Sequence, residues 1–279
     1  MKVFISVDME GCAGIVHVDQ TRANGQDFPR CREWMTAEAN AAALGAFDAG
    51  ADEVVVNDSH GDMRGILIDR LDPRVELISG DMKPLSMCQG MEMAADAALF
   101  IGYHAGMGAT YAVLDHTYAG AVVSKVHVNG RELNEGGINA LVAGHFGTPV
   151  VLVTGDDRTC EETIAQLGDV PTLCVKKAIT RYCARSITPA LAQKRIREAS
   201  RKAVAGAKRR KPFTMKGPYT LQLRVLNAGM ADHVEMMPGI RRIGGTAVEY
   251  KTGDLLELFK ALLTATTLGM SSIPNVRTR

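Results

Sequence analysis

The sequence predicts an α/β protein: a mainly parallel central sheet flanked by helices, with a smaller α+β part at the C-terminal end. Three observations carry that expectation. Short apolar runs at 3–7, 54–56, 98–101 and 150–153 are each brief enough to be strands buried on both faces. Segments of helical composition lie between some of them, and strands alternating with helices build a parallel sheet covered by helices. After about Arg185 the pattern changes to a long helix, an alternating strand and a final helix.

In chain order, the run 3–7 opens the sheet. Residues 36–49 are Ala-rich and stop at Gly50, a natural helix end. The run 54–56 is the second strand, a short helix over 90–95 precedes the third, and one opening at 137–143 precedes the fourth. A strand at 122–128 leads into a turn at Asn129-Gly130. Residues 159–167 read as a helix and 172–175 as a further strand. Residues 188–207 read as one long helix with Pro189 in its first turn. The basic run Lys208-Arg209-Arg210-Lys211 reads as a solvated helix end. Residues 219–226 alternate apolar and polar like a half-buried strand, 242–250 are expected to pair with it, and 254–265 form a helix with Leu255, Leu258 and Leu262 on one face. The expected division is 1–185 for a metal-binding α/β domain and 186–279 for the smaller part.

Composition limits the partners. The 279 residues carry 32 Lys plus Arg against 31 Asp plus Glu, a net charge of +1, which argues against a generic nucleic-acid binder. No apolar run reaches the roughly 18 residues that span a bilayer. The opening Met1-Lys2-Val3-Phe4-Ile5-Ser6-Val7-Asp8 does not read as a signal peptide, so a cytoplasmic protein is expected. The six cysteines show no C-x-x-C spacing and read as reduced, mostly buried residues. Glycine is abundant, 28 residues of 279 against a usual ~7%, which signals many tight turns or close backbone approaches.

The strand ends carry the chemistry. The first run leads into Asp8-Met9-Glu10-Gly11, the second into Asn57-Asp58-Ser59-His60-Gly61, the third into Gly102-Tyr103-His104-Ala105-Gly106 and the fourth into Thr154-Gly155-Asp156-Asp157. In parallel sheets, ligands bind outside the carboxyl ends of the strands. Asp8 and Glu10, two apart, point the same way in an extended segment. Carboxylates that close repel unless a positive charge lies between them, and carboxylate plus imidazole suits zinc, with manganese or cobalt as substitutes. Four or five such ligands suffice for two metals about 3.5–4 Å apart. Each residue also has a plainer reading: Asp8 as a helix cap, Asp58 as a turn cap, His104 as a satisfied core histidine. Asp156 and Asp157 read best as caps of the following helix.

Ser6-Val7-Asp8-Met9-Glu10-Gly11 matches an S-x-D-x-E-G signature. With Asn57-Asp58-Ser59-His60, Ser79-Gly80-Asp81-Met82-Lys83-Pro84, Gly102-Tyr103-His104-Ala105, Asn134-Glu135-Gly136-Gly137, Gly155-Asp156-Asp157-Arg158 and Met237-Pro238-Gly239, the chain resembles the D-aminopeptidase family of dizinc metallopeptidases over nearly its whole length. The resemblance implies a site of two Zn²⁺ per chain built from Asp8, Glu10, His60, His104 and Glu135, with Asp8 as the natural bridge. Glu135 enters through the resemblance alone; its plain reading is an acid at a helix start. His116 falls where the family has a catalytic histidine, for nucleophilic attack, proton transfer or oxyanion stabilisation. The implied activity is release of N-terminal, D-configured amino acids from short peptides or amides, by a homo-oligomer, decameric in the family, that needs neither nucleic acid nor membrane.

Two other classes compete. Another dinuclear metal hydrolase, acting on L-peptides, other amides or phosphate esters, would use the same ligand types. A phosphoesterase needs cations aimed at phosphate, and only Lys83 and Arg158 lie near the motifs, with Lys83 beside Pro84 reading as exposed. A non-enzymatic metal- or peptide-binding protein would lack an open metal position and a general acid or base.

Overall fold

The computed structural model describes residues 1–273. Strand β1 (Lys2–Val7) leads through the short helix α1 (Val18–Thr21) to the long helix α2 (Phe28–Asp48). Strands β2 (Glu53–Asp58), β3 (Val75–Ile78) and β4 (Ala97–Ile101) follow, then β5 (Val123–Val128), β6 (Arg131–Glu132) and helix α3 (Glu135–His145). Next come β7 (Val150–Asp156), α4 (Asp157–Leu167), β8 (Thr172–Thr180), β9 (Cys183–Ser186) and α5 (Pro189–Ala205). The described chain closes with β10 (Tyr219–Val225), α6 (Ala228–Glu235), β11 (Arg241–Gly244), β12 (Ala247–Thr252) and α7 (Leu255–Ser271).

Backbone contacts divide the chain into two compact units. The first comprises Met1–Ala105, Thr110–Leu114 and Asn139–Thr214; the second comprises Gly106–Ala109, Asp115–Ile138 and the chain from Met215 on. The first unit holds a seven-stranded sheet in the order β3-β2-β1-β4-β7-β8-β9. All its pairings are parallel except β8 with β9. Every β1 residue after Lys2 is buried, as are all of β4 and β7, and most of their side chains are apolar, as strands of a covered parallel sheet require. Val3, Ile5 and Val7 pack with Ala39, Ala42, Ala43 and Ala46 of α2 in one core. Alanines let α2 lie close against its neighbours. The chain runs outward from β1 through β2 to β3, then returns to the other side of β1 with β4, so the strand order reverses between β1 and β4. Such reversals open a crevice at the carboxyl edge of a parallel sheet.

The second unit holds a five-stranded antiparallel sheet in the order β11-β12-β10-β5-β6 with α6 and α7. Leu255, Leu258, Phe259 and Leu262 are the buried face of α7, and Asp254 caps its first turn by accepting from Leu256 N–H.

Several expectations shift. The division is not a single cut near residue 185: β5 and β6 pair with the C-terminal strands, so the mid-chain segment 115–138 belongs to the second unit. Residues 242–250 do not form one strand, since β11 ends at Gly244 and, of β11 and β12, it is β12 that pairs with β10. The helix expected at 36–49 starts at Phe28, with Pro29 in its first turn. The helix expected at 90–95 is a three-residue turn, Met91–Met93.

Candidate metal centre

Three adjacent strand ends deliver the first set of side chains. Asp8 follows β1, His60 lies two residues beyond β2, and His104 lies three beyond β4. Backbone hydrogen bonds continue the sheet past the strand ends: Ser59 N–H to the Val7 carbonyl at 2.8 Å, Asp8 N–H to Ile101 at 2.8 Å, and Gly11 N–H to Gly102 at 2.8 Å. Glycine is required here. A Cβ on Gly11 would collide with the Tyr103 carbonyl oxygen and lie 2.5 Å from the Gly102 carbonyl carbon, and Gly102 itself has φ +70°. The loop after β1 therefore lies flat against the loop after β4.

This packing buries four ligand-type residues together: Asp8, Glu10, His60 and His104 are 3%, 6%, 9% and 2% exposed. His60 Nδ1 lies 3.1 Å from Asp8 Oδ1 and 2.9 Å from Glu10 Oε2. His104 Nε2 lies 3.4 Å from Asp8 Oδ2. The two oxygens of Asp8 thus face different imidazoles. Glu10 sits in a turn rather than an extended segment, yet its carboxylate still converges with that of Asp8 on His60.

The opposite ring nitrogens fix the tautomers. His60 Nε2 is 2.7 Å from the Thr21 carbonyl oxygen, and His104 Nδ1 is 2.9 Å from that of Ala105. A carbonyl only accepts, so these nitrogens carry the protons. In the neutral rings, lone pairs of His60 Nδ1 and His104 Nε2 then face carboxylate oxygens. That arrangement is repulsive unless a proton or a cation lies between. Without metal the proton serves: burial lowers the pKa of His60, but the charges of Glu10 and Asp8 and their hydrogen bonds outweigh it and raise the value well above 6.5. Burial and the Glu10 charge push Asp8 from 3.8 up to about 7 against the opposing pull of His60 and His104. Two carboxylates and two backbone-oriented imidazoles, the chemistry of a divalent-metal site, fit a cation. The ligand atoms of Asp8, Glu10 and His104 lie within 4.8 Å of one another.

The second unit brings together the remaining two sequence-predicted residues. His116 Nε2 lies 3.8 Å from Glu135 Oε1. Glu135 opens α3, where Asn134 Oδ1 accepts the Gly137 N–H at 2.9 Å. The Glu135 carboxylate also accepts from Tyr118 N–H, and it is buried.

Sequence reasoning missed the supports. Lys83 is buried, not exposed: its Nζ donates to Asn57 Oδ1 and the Asp58 carbonyl, both at 2.6 Å, and burial lowers its pKa to about 8. Asp58 Oδ2 accepts the Ile66 N–H at 2.6 Å and shapes the loop that carries His60. Beneath the centre, Ser6 Oγ bonds Ser59 Oγ and the Tyr103 hydroxyl, each at 2.7 Å, and Asn139 Nδ2 donates to that hydroxyl at 2.9 Å. A polar residue inside an otherwise apolar strand, such as Ser6, was the available signal. Asp156 does cap α4, accepting from Thr159 N–H at 2.7 Å, and its other oxygen holds Val113 N–H at 2.8 Å. Arg158 pairs with Glu161 on its own helix. Both cations suited to a phosphate are thus already engaged.

A parallel sheet that gathers two carboxylates and two imidazoles at its point of strand reversal is that of a metal-dependent enzyme of the α/β class. The D-aminopeptidase family profile matches residues 1–264. The D-aminopeptidase of Bacillus subtilis (strain 168) is 36% identical over 271 residues, 97% of this chain and 98% of that protein. The solved structure of the Zn-dependent D-aminopeptidase DppA from Bacillus subtilis, described as a self-compartmentalizing protease, superposes with a TM-score of 0.94 at 36% identity, covering 97% of this chain and 98% of that one. The chain belongs to the D-aminopeptidase family of peptidases.

Proposed function

We propose that this protein is a zinc-dependent aminopeptidase that releases N-terminal D-amino acids from short peptides or amides. One observation carries the reading: two backbone-oriented imidazoles aim their lone pairs at the same buried carboxylate, which only a cation or added protons reconcile. Asp8, Glu10, His60 and His104 would hold zinc, and Asp8, whose oxygens face different imidazoles, suits a ligand shared between two ions. Glu135 is proposed as the fifth ligand on the strength of the family match, which spans residues 1–264.

Zinc held there supplies Lewis-acid polarisation of an amide carbonyl and lowers the pKa of water. The chain's own groups do the rest. Thr21 and Ala105 carbonyls keep His60 and His104 in the ligand tautomer. His116, partly exposed and 3.8 Å from Glu135, is the group proposed to move a proton to the leaving amine or to stabilise the oxyanion. The cytoplasm is the proposed compartment, and the six free cysteines suit its reducing conditions. No helix among the described residues is long and apolar enough to cross a membrane. A closed homo-oligomer is proposed from the relative's description as self-compartmentalizing; light scattering on the purified protein tests it.

The activity is tested on a panel of D- and L-amino-acid amides, short peptides and phosphate esters, with zinc-loaded and chelator-treated protein. Zinc-dependent turnover of D-amides is expected. Turnover confined to phosphate esters or L-substrates would overturn the assignment.

A further inference from the structure

Residues 8–17, which carry Asp8 and Glu10, form neither helix nor strand. Buried carbonyls there have no ladder partners and must find others. Three of them, those of Glu10, Cys12 and Ile15, find a single side chain from far along the sequence. Lys176 of β8 is 1% exposed, and its Nζ donates to the carbonyl oxygens of Glu10, of Cys12 at 2.9 Å and of Ile15 at 2.6 Å. An ammonium has three N–H bonds and accepts none, so every donor of Lys176 is spent on this one loop. From the other side, Glu38 of α2 accepts the Ala13 N–H at 2.8 Å, and Ser186 Oγ of β9 accepts the Gly14 N–H at 2.9 Å.

Burying an ammonium is costly and is tolerated only with full hydrogen bonding and nearby negative charge. The carboxylates of Glu38, Asp156 and Glu10 favour the charged form of Lys176 electrostatically, against the burial that lowers its pKa. A loop that only needed anchoring would be served by a neutral donor. A donor with three converging bonds fixes the backbone at Glu10, the residue whose carboxylate stands 2.9 Å from His60 Nδ1.

We propose that Lys176 is a positioning residue of the metal centre: by clasping the Glu10, Cys12 and Ile15 carbonyls, it holds the Glu10 carboxylate at the ligand position. This rests on the reading of Glu10 as a zinc ligand.

The test is a double-mutant cycle read by zinc affinity, measured by competition with a chromophoric chelator on full-length protein shown to be folded by circular dichroism. Lys176→Met in the wild-type background is expected to weaken zinc binding about 10- to 100-fold, the usual effect of losing a group that orients a ligand. In a Glu10→Ala background the same substitution is expected to change affinity less than about twofold, because the ligand it positions is gone. An equal loss in both backgrounds, or none in either, would overturn the assignment. If Lys176→Met is not recovered folded, Lys176→Arg goes through the same cycle; its planar donors cannot serve three converging carbonyls, so a loss that disappears with Glu10→Ala is expected, and no loss overturns the proposal. A wild-type chain that takes up no zinc overturns the metal reading itself, whereas normal wild-type uptake with an unaltered Lys176 variant overturns only the role of Lys176.

Discussion

Asp8→Asn should strengthen the metal-free fold while destroying the site. Asn keeps an acceptor for the Met9 N–H that Asp8 Oδ1 now takes at 2.8 Å, and it fills the same volume. It removes a carboxylate that burial and Glu10 have raised from 3.8 to about 7. The folded-state value lies above the unfolded one. As pH rises, the unfolded chain therefore loses this proton first, and the contribution of Asp8 to metal-free stability falls between about pH 4 and pH 7 and is constant above that. The gap corresponds to as much as about 4 kcal/mol at pH 8. Asn has no such slope, so metal-free Asp8→Asn should exceed wild type at pH 8 by up to that amount, on the order of 10 °C in melting temperature. Added zinc should reverse the ranking, since ligand binding raises the stability only of the chain that binds it. Thermal melts followed by circular dichroism at pH 4, 6 and 8, in chelator and then in zinc, read both effects. An Asn variant that is less stable than wild type in chelator at pH 8, or that gains as much from zinc, would refute the reasoning.

Glu38, fully buried, is raised by that burial from 4.5 to about 7 despite its bond from Ala13 N–H and the charge of Lys176. Metal-free wild type should lose stability from about pH 4.5 to pH 7 on this account too, and Glu38→Gln should stand up to about 3 kcal/mol higher at pH 8 in urea melts. His116→Ala should lower amide turnover at least about 100-fold while zinc content by elemental analysis stays at the wild-type value. Gly11→Ala forces the loop away from the Tyr103 carbonyl and should cost about 1–3 kcal/mol in a denaturant melt together with a loss of zinc uptake.

Much of this architecture was legible because parallel strands buried on both faces leave plain apolar runs, and because acids and imidazoles directly after them stand out. The runs at 3–7, 54–56, 98–101 and 150–153 all lie within strands of one sheet. Strand β3, with four only partly buried or exposed residues, and the edge strand β9 left no such pattern. The pairing of β5 with β10 was invisible because antiparallel partners far apart in sequence share no local signal. At the site, Asp8, Glu10, His60 and His104 were recognisable by type and place. Glu135 was not, since an acid at a helix start is ordinary; the family resemblance alone singled it out. Lys83 and Lys176 were misread or passed over for the same reason: a lysine is usually solvated, and only the fold reveals the buried oxygen acceptors around its amine.

The most direct test of the metal centre is the zinc content of the purified wild-type chain beside that of Asp8→Ala and His60→Ala. About two zinc ions per wild-type chain, with a clear loss in both variants, is the expected result. A wild-type chain without zinc, or variants that keep their full complement, would contradict it.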